Sequence, residues 1–267
     1  PMSAGGLVYQ VFDVPDGQFF IGKNGKVNPN ATLGNMVTYD GQDYWLQPDN
    51  WTKEAMHNGF RQEYNASVSA GNERAQVYLS AGYLDSEGIV DQSNYQRLTT
   101  RLKAEYQAKK WLRVGANAAY TNYKGYLTED SGDSASTGNI FAATTAIAPI
   151  YPLYVRNANK QIMKDANGYT MYDYGDKMNA GLERPIFGQS NALSDHLLNK
   201  NTYDGNALNA NAFVDVYFLK DFTFTFNAGT SLAEQRSTGL TNAFYGQFAS
   251  DNGIISKAHG RDLSYNL

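Results

Sequence analysis

Alternation of apolar and polar positions is the strongest pattern in this chain. From Tyr203 to Thr230, every second residue is apolar or aromatic, in two runs: Leu208, Ala210, Ala212, Val214, Val216 and Phe218, then Phe222, Phe224, Phe226 and Ala228. A period of two predicts extended strands with one apolar and one polar face. Each run is about twice the length of a usual strand, which has about five or six residues. We therefore predict a hairpin of two unusually long strands here.

The same alternation recurs along the rest of the chain. Further strands are predicted to begin near Tyr64, Val77, Tyr95 and Leu112, and a last one lies in 257–267. Three of the connections are tight and the others are long; the tight ones are Gly71–Arg74, Ala108–Lys110 and Leu219–Asp221. Long strands joined by alternately short and long connections are typical of outer-membrane β-barrels. The predicted fold class is therefore all-β, an antiparallel transmembrane barrel portion of about seven strands with long extracellular loops.

Four regions follow from this pattern. Residues 1–60 read as irregular hairpins and loops, with Asn50 as the N-cap of a short helix. Residues 61–124 hold four barrel strands, 125–202 a long extracellular loop with a short helix near 138–148, and 203–267 further strands and a loop. A loop as long as 125–202 is unusual in a compact soluble domain. On a barrel such loops are ordinary.

Charged residues predict which face of the strands meets water. Arg97, Arg101, Lys103 and Glu105 share one face of the strand that begins near Tyr95. Because a charge at the bilayer midplane costs about 2–4 kcal/mol, this face is predicted to line an aqueous lumen. The opposite face is then predicted to meet lipid, including Val214, Val216, Phe224 and Phe226. A large soluble antiparallel sheet with its charged face in water is the alternative.

Composition narrows the possible chemistry. The chain has 267 residues, 20 of them tyrosine, and its mean hydropathy of -0.51 suits a soluble protein as well as a barrel whose apolar half is hidden in alternation. No cysteine is present, which excludes disulfides, thiolate metal sites and cysteine nucleophiles. A net charge of -4 argues against nucleic-acid binding. His57, His196 and His259 are far apart, so we predict no metal site, no cofactor and no enzymatic activity.

Several segments resemble a known family. They are Phe60–Glu73, Tyr78–Val90, Tyr95–Leu102, Lys110–Asn117 and Ala148–Tyr154. In this order and spacing they are similar to the SusC/RagA family of TonB-linked outer-membrane transporters. The resemblance covers residues 45–235 well and the two ends loosely.

The resemblance implies a plugged barrel of about 22 strands in the outer membrane of a Gram-negative bacterium. It also implies import of oligosaccharides, peptides or similar large nutrients, with a SusD-like surface lipoprotein as a lid and energy from the TonB complex. Neither a plug nor a TonB-contacting segment is recognisable here. We therefore expect this chain to be the early barrel portion of a longer protein, which contacts TonB through parts absent from it.

Tyrosines in the long loop are the candidate substrate contacts. Tyr151, Tyr154, Tyr169, Tyr172 and Tyr174 offer flat apolar faces for sugar rings or peptide side chains, and hydroxyls for hydrogen bonds. Packing of the loop against itself or against a lid is the alternative role. Two other functions also stay open: a small stand-alone outer-membrane barrel or adhesin, and a soluble glycan-binding β domain.

Overall fold

A computed structural model describes residues 11–126, 140–148, 150–245 and 252–267. Its elements, in chain order, are β1 Phe12–Asp13, β2 Thr32–Leu33, β3 Asn35–Tyr39, β4 Gln42–Leu46, α1 Trp51–Ala55, β5 Arg61–Gly71, β6 Ala75–Glu87, β7 Asn94–Lys109, β8 Leu112–Tyr126, α2 Ile140–Ala146, α3 Ala192–Leu198, β9 Lys200–Phe218, β10 Phe222–Thr241 and β11 Ile254–Asn266. They fall into two compact units. We call them the loop unit, Pro1–His57, Thr128–Asn199 and Thr241–Ile254, and the strand unit, Asn58–Leu127, Lys200–Leu240 and Ile255–Leu267.

The strand unit is one antiparallel sheet. Its seven strands lie side by side in chain order from β5 to β11, so each strand pairs with its neighbours in sequence. β9 and β10 pair in one unbroken register, from Lys200 opposite Leu240 to Phe218 opposite Phe222. The prediction of an all-β antiparallel fold with seven long strands is confirmed.

Short turns join alternate pairs of these strands. In the turn after β5, the Asn72 side chain accepts hydrogen bonds from the backbone N–H groups of Arg74 and Ala75, at 2.8 and 2.9 Å. This is the usual way for asparagine to stabilise a turn. Leu219 and Lys220 close the β9–β10 turn with positive φ angles of 49° and 65°.

The β7–β8 turn differs from its prediction by a small shift. It was expected at Ala108–Lys110, but β7 continues to Lys109, which pairs with Leu112, so the turn is formed by Lys110 and Trp111. The register shifts between Gln107 and Lys109. This extra residue on one strand is a bulge, which alternation alone does not reveal.

The loop unit has its own core. Asn50 caps α1 through its side chain, which accepts from the Lys53 backbone N–H at 2.9 Å, as predicted. The three short helices pack against one another and bury apolar side chains, among them Leu46, Trp51, Ala55, Ile140, Ala143, Leu153, Val155, Ala192 and Leu193. Within the described residues, no helix has both the length and the apolar composition that crossing a membrane requires.

Candidate functional site

The four charged side chains of β7 share one face of the sheet. Arg97, Arg101, Lys103 and Glu105 occupy alternate positions, and the pairing of β7 with β6 is continuous from Asn94 to Tyr106. Residues opposite them on neighbouring strands are mostly polar, among them Ser67, Ser80, Asn117, Asn209 and Asn211. We call this side of the sheet the polar face.

An ion-pair network crosses three strands of the polar face. Lys103 Nζ lies 2.9 Å from Glu105 Oε1, and Glu105 also contacts the Arg113 guanidinium. Arg113 Nη1 lies 3.8 Å from Asp215 Oδ2, and the Thr225 hydroxyl donates to Asp215 at 2.8 Å. The alternating signs leave no large uncompensated charge, so the network presents a fixed pattern of donors and acceptors.

Phe213 is an aromatic side chain on the polar face that the strand pattern did not predict. It lies opposite Gly115, where an added Cβ would come 2.2 Å from the Phe213 ring. The Arg113 guanidinium stands 5.3 Å from the ring centroid. The ring therefore fills the space above the glycine and supports the arginine. A glycine within a predicted strand was the only sequence signal for this arrangement.

Large apolar side chains cover the opposite face, which we call the apolar band. Val214 pairs with Phe226 and Val216 pairs with Phe224, so these four share one side as predicted. The two phenylalanines are 46% and 58% exposed. Other exposed members are Val68, Val77, Leu79, Leu98 and Leu102. Such a continuous exposed apolar surface marks contact with a membrane or with another protein.

The height of the apolar band matches a bilayer. On β9 it extends from Leu208 to Phe218, and the next residues on that face, Asn206 and Asp204, are polar. Ten steps of about 3.3 Å give about 33 Å along the strand. With the usual barrel tilt of about 40°, this spans about 25 Å, the height of the lipid-facing band of barrels. Aromatic residues lie at both ends: Tyr106, Phe218 and Phe222 near the tight turns, and Tyr64, Tyr83 and Tyr120 at the other end.

Two of the five tyrosines predicted to contact substrate lie in the core of the loop unit. Tyr151 is 5% exposed, and its carbonyl accepts from the Trp51 indole at 3.0 Å. Tyr174 is 6% exposed; its hydroxyl is hydrogen-bonded to Ser194 and its ring stacks on Tyr245, with centroids 6.0 Å apart. Both side chains are thus held by the loop unit itself.

The other three tyrosines are more accessible. Tyr154 and Tyr172 are half-buried, with ring centroids 5.4 Å apart, and the Tyr154 hydroxyl donates to Glu54 at 3.1 Å. Tyr169 is 46% exposed and stacks on the exposed ring of Phe244 at 6.1 Å. Burial raises the pKa of Tyr154 and Tyr172 above the ordinary value. Their hydroxyls therefore stay protonated at neutral pH and keep a proton to donate.

A fully buried ion pair organises the segment between the tyrosines and α3. Neither Arg184 nor Asp173 has solvent-exposed side-chain surface, and Arg184 Nη1 lies 3.4 Å from Asp173 Oδ1. The guanidinium also donates to four backbone carbonyls: Asp173 at 3.3 Å, Ile186 at 3.1 Å, Phe187 at 2.8 Å and Ser190 at 2.6 Å. Arg184 thus satisfies carbonyls of a segment that has no regular secondary structure.

A second buried pair joins two distant parts of the chain. Arg156 donates to both carboxylate oxygens of Asp49, at 2.9 and 2.7 Å. Asp49 also accepts from the Leu153 backbone N–H at 2.7 Å, and the Arg156 guanidinium lies 5.4 Å from the Tyr154 ring centroid. This forked pairing sets the position of Tyr154. Sequence reasoning identified neither ion pair, since each residue was read only as part of a loop.

Asp195 is the one carboxylic acid in the described loop unit whose pKa is strongly shifted. It lies in α3, whose N-cap Asn191 accepts from the Ser194 backbone N–H at 3.1 Å. Burial raises the pKa of Asp195 to about 7, and a hydrogen bond from the Asn191 backbone partly opposes that shift. The charge of this helix therefore changes near neutral pH.

The described residues offer no metal centre. In that part of the chain, no group of three or more histidine or acidic side chains is placed to hold a metal ion. His57, His196 and His259 lie on separate segments: after α1, in α3 and in β11. The polar face and the loop unit therefore hold the candidate functional side chains.

Comparisons of sequence relate the chain to TonB-dependent receptors. No family model matches it. It is 35% identical over 98 residues to the TonB-dependent receptor P39 of Formosa agariphila, a match that covers 37% of this chain and 8% of that protein. It is 24% identical over 232 residues to the TonB-dependent receptor SusC of Bacteroides thetaiotaomicron, covering 81% of this chain and 21% of SusC.

Comparisons of structure find the same fold in RagAB. A structure of the RagAB peptide importer in the closed-closed state matches with a TM-score of 0.57 and 20% identity, over 86% of this chain and 23% of that chain. A structure of the RagAB peptide transporter matches with a TM-score of 0.56 and 20% identity, over 82% and 23%. At this identity the likeness is one of fold.

The comparisons confirm the resemblance seen in the sequence. The chain spans less than a quarter of the length of each relative that it matches. Those relatives are receptors and a transporter, in agreement with the prediction that this chain is not an enzyme. The chain is an antiparallel β-barrel portion that is similar in sequence to the TonB-dependent receptors P39 and SusC and similar in fold to RagAB.

Proposed function

We propose that this chain forms part of the wall of a SusC-like, TonB-dependent nutrient importer in the outer membrane of a Gram-negative bacterium. The observation that carries the proposal is the apolar band, from Leu208 to Phe218 on β9, which has the height of a bilayer core and aromatic residues at both ends. Water cannot solvate such a face favourably, and lipid can.

In this arrangement the polar face lines the lumen. Arg97, Arg101, Lys103 and Glu105 then meet water and solute, which spares them the cost of a charge in hydrocarbon. The tight turns, such as Asn72–Arg74, lie at the periplasmic rim, and the long connection 125–202 is extracellular. The length of this connection supports that assignment, because long loops of bacterial barrels are extracellular.

We propose that the loop unit contacts an oligosaccharide or peptide substrate through its accessible rings. Tyr169, stacked on Phe244, is the most exposed of the five tyrosines, and the Tyr154–Tyr172 pair adds two hydroxyls. Tyr151 and Tyr174 then support the loop from its core. The partners in this proposal are a SusD-like surface lipoprotein on the extracellular side and the TonB complex through other parts of the receptor.

The two edges of the sheet favour a larger barrel over a small stand-alone one. β5 and β11 lie at opposite edges of the described sheet and do not pair with each other. All of β11 is exposed along its length. Exposed edge strands of this length promote aggregation, and membranes tolerate only closed barrels, so further strands are expected on both sides.

Single cysteines test which face meets lipid, because this chain contains none of its own. Ala210 and Asn211 are adjacent in β9 and point to opposite faces. In the complete receptor, we expect Asn211→Cys to react with a charged, membrane-impermeant thiol reagent, and Ala210→Cys to react only with a lipid-soluble maleimide. Equal reaction of both with the charged reagent would exclude lipid contact.

The same method tests the loop unit. Tyr169→Cys should be labelled by the charged reagent on intact cells, and a transported oligosaccharide or peptide should slow that labelling. Met178→Cys, at a residue that is 62% exposed in the same unit, is the control and should label at an unchanged rate. Equal protection of both positions, or of neither, would contradict substrate contact at the Tyr169–Phe244 pair.

A further inference from the structure

The register of the last two strands reveals a feature that alternation in sequence did not show. A Cβ added at Gly229 would lie 2.4 Å from Asn266 Oδ1, and one added at Gly239 would lie 2.5 Å from Ser256 Oγ. Both contacts fit one antiparallel register of β10 with β11. In that register, Leu263 lies opposite Leu232, Arg261 opposite Glu234, His259 opposite Arg236 and Lys257 opposite Thr238.

Basic side chains consequently gather on the lipid-facing side just beyond the apolar band. We call them the basic rim: Lys124 of β8, Arg236 of β10, and Lys257, His259 and Arg261 of β11. Two carboxylates lie among them, and a third, Asp85 of β6, lies in the row of Lys124 on the far side of Gln96. Asp204 lies opposite both Lys124 and Arg236, and Glu234 contacts Arg236 at 3.4 Å and His259 at 3.9 Å.

Charge on the basic rim is not fully compensated. Four permanently positive side chains, with His259 beside them, face two carboxylates, although the chain as a whole has a net charge of -4. Glu234 is only 20% exposed, whereas Arg236 and His259 are 58% and 52% exposed. The Glu234 carboxylate thus lies beneath Arg236 and His259, whereas Asp204 is exposed between Lys124 and Arg236.

Just beyond the apolar band, the positive charge is concentrated on the half of the sheet formed by β8 to β11. The first row beyond the band holds Tyr64, Tyr83 and Leu98 on β5 to β7. On β8 to β11 the same row continues as Asn122, Asn206, Glu234 and Arg261. Tyrosine rings are a general preference at headgroup depth. On the β8 to β11 half, Arg261 and Glu234 stand in that row, and the next row adds Lys124, Arg236 and His259, so basic groups outnumber acidic ones only here.

We propose that the basic rim binds the phosphate groups of a phosphorylated lipid in the leaflet at the long-loop end. This rests on the proposed lipid contact of the apolar band, which places acyl chains directly below the rim. Guanidinium and ammonium groups at the membrane boundary are the usual partners of lipid phosphates. Arg236 and Arg261 offer forked donors that match phosphate oxygens.

Lipid retention by the complete receptor tests this site. The receptor is mixed with lipid A in detergent micelles, and bound lipid is counted by native mass spectrometry. Arg236→Gln/Arg261→Gln should weaken lipid A binding by roughly thirtyfold, because each basic residue at an anionic surface contributes about fivefold. Arg97→Gln/Arg101→Gln removes the same charge from the polar face and should change binding less than about twofold, as control.

A second variant separates binding from mere instability. Glu234→Gln keeps the side-chain oxygen that accepts from Asn206 at 2.9 Å but removes the opposing charge. It should strengthen lipid A binding by about fivefold, which a folding defect cannot imitate. Equal loss in the polar-face control, or equal binding of dephosphorylated lipid A, would overturn the proposal. Displacement of lipid A by millimolar inorganic phosphate would do so too, since the site would then be one for free phosphate.

The experiments distinguish a failure of the lipid-phosphate site from a failure of the proposed function. If Ala210→Cys reacts only with the lipid-soluble reagent while lipid A is not retained, the wall assignment stands and the phosphate site is wrong. If Ala210→Cys reacts with the charged reagent, the lipid-facing assignment itself is wrong.

Discussion

The strand unit and the loop unit arrange polar and apolar groups in opposite ways. In the strand unit, large apolar side chains such as Phe224, at 58% exposure, cover an outer face. In the loop unit, the charged pair Arg184–Asp173 has no exposed side-chain surface while apolar helices pack around a core. The two units are thus built for different solvents. A buried core suits a unit surrounded by water, whereas the exposed apolar band suits the lipid contact that we propose.

Backbone hydrogen bonding explains why each arrangement is stable. Neighbouring strands satisfy one another's N–H and C=O groups, so the sheet needs no core to hold its backbone together. The segment 173–191 has no strand ladder, only an isolated bridge between Asp176 and Glu183. Arg184 and Asn191 donate to its carbonyls at Asp173 and Ser190, and Asn191 also donates to the carbonyl of Leu153 outside it. Buried polar side chains therefore replace secondary structure where the chain is irregular.

Removing Arg184 should produce the largest effect, confined to the loop unit. Arg184→Ala leaves Asp173 buried without its charged partner, which costs about 3–5 kcal/mol. In the complete receptor, proteolysis between 150 and 199 should become rapid, while the barrel keeps its heat-modifiable mobility on a gel. Lys177→Ala, which breaks the exposed Lys177–Glu183 pair, is the control and should leave proteolysis unchanged. Similar cleavage of both variants would contradict a structural role for the buried pair.

A charge in the apolar band should have the next largest effect, confined to the strand unit. Ala212 lies near the middle of the band, so Ala212→Arg should cost about 2–4 kcal/mol of folding free energy in a bilayer. Urea unfolding of the receptor in lipid vesicles measures this cost. Asn211→Arg, one residue away on the polar face, should be tolerated. If the two arginines destabilise equally, the two faces do not differ in solvent.

A change of one pH unit around the titration of Asp195 should give the smallest effect. Its folded-state pKa of about 7 lies above the ordinary value of 3.8, so the folded loop unit binds the proton more tightly than the unfolded one. Stability is therefore full below about pH 4 and falls as the pH rises through 7, by at most about 1.4 kcal/mol per pH unit. Hydrogen exchange of 150–199, corrected for its intrinsic pH dependence, measures this slope.

Asp195→Asn should remove that slope, and Asp176→Asn, at an exposed position of the same unit, should retain it. A loop unit that becomes more stable between pH 5 and 8, or an Asp195→Asn variant with an unchanged slope, would show that burial of this carboxyl does not control the loop.

Local patterns in the sequence were sufficient for the strands and their faces. A period of two is a property of consecutive residues, so the seven strands, the shared face of Val214, Val216, Phe224 and Phe226, and the turn at Leu219–Asp221 could be read directly. The N-cap at Asn50 is also local, because it involves residues three positions apart. The resemblance to SusC-like receptors rests on the same strand segments.

Contacts between distant residues were decided only by the tertiary structure. Asp49 meets Arg156 more than a hundred positions later, Arg113 meets Asp215, and packing alone separates the buried Tyr174 from the exposed Tyr169. The basic rim likewise depends on the register of β10 with β11. Alternation along a strand determines the face on which a side chain lies, because the face depends only on the position of the residue within its own strand. Its partner across the sheet or within the loop unit depends on how the whole chain pairs.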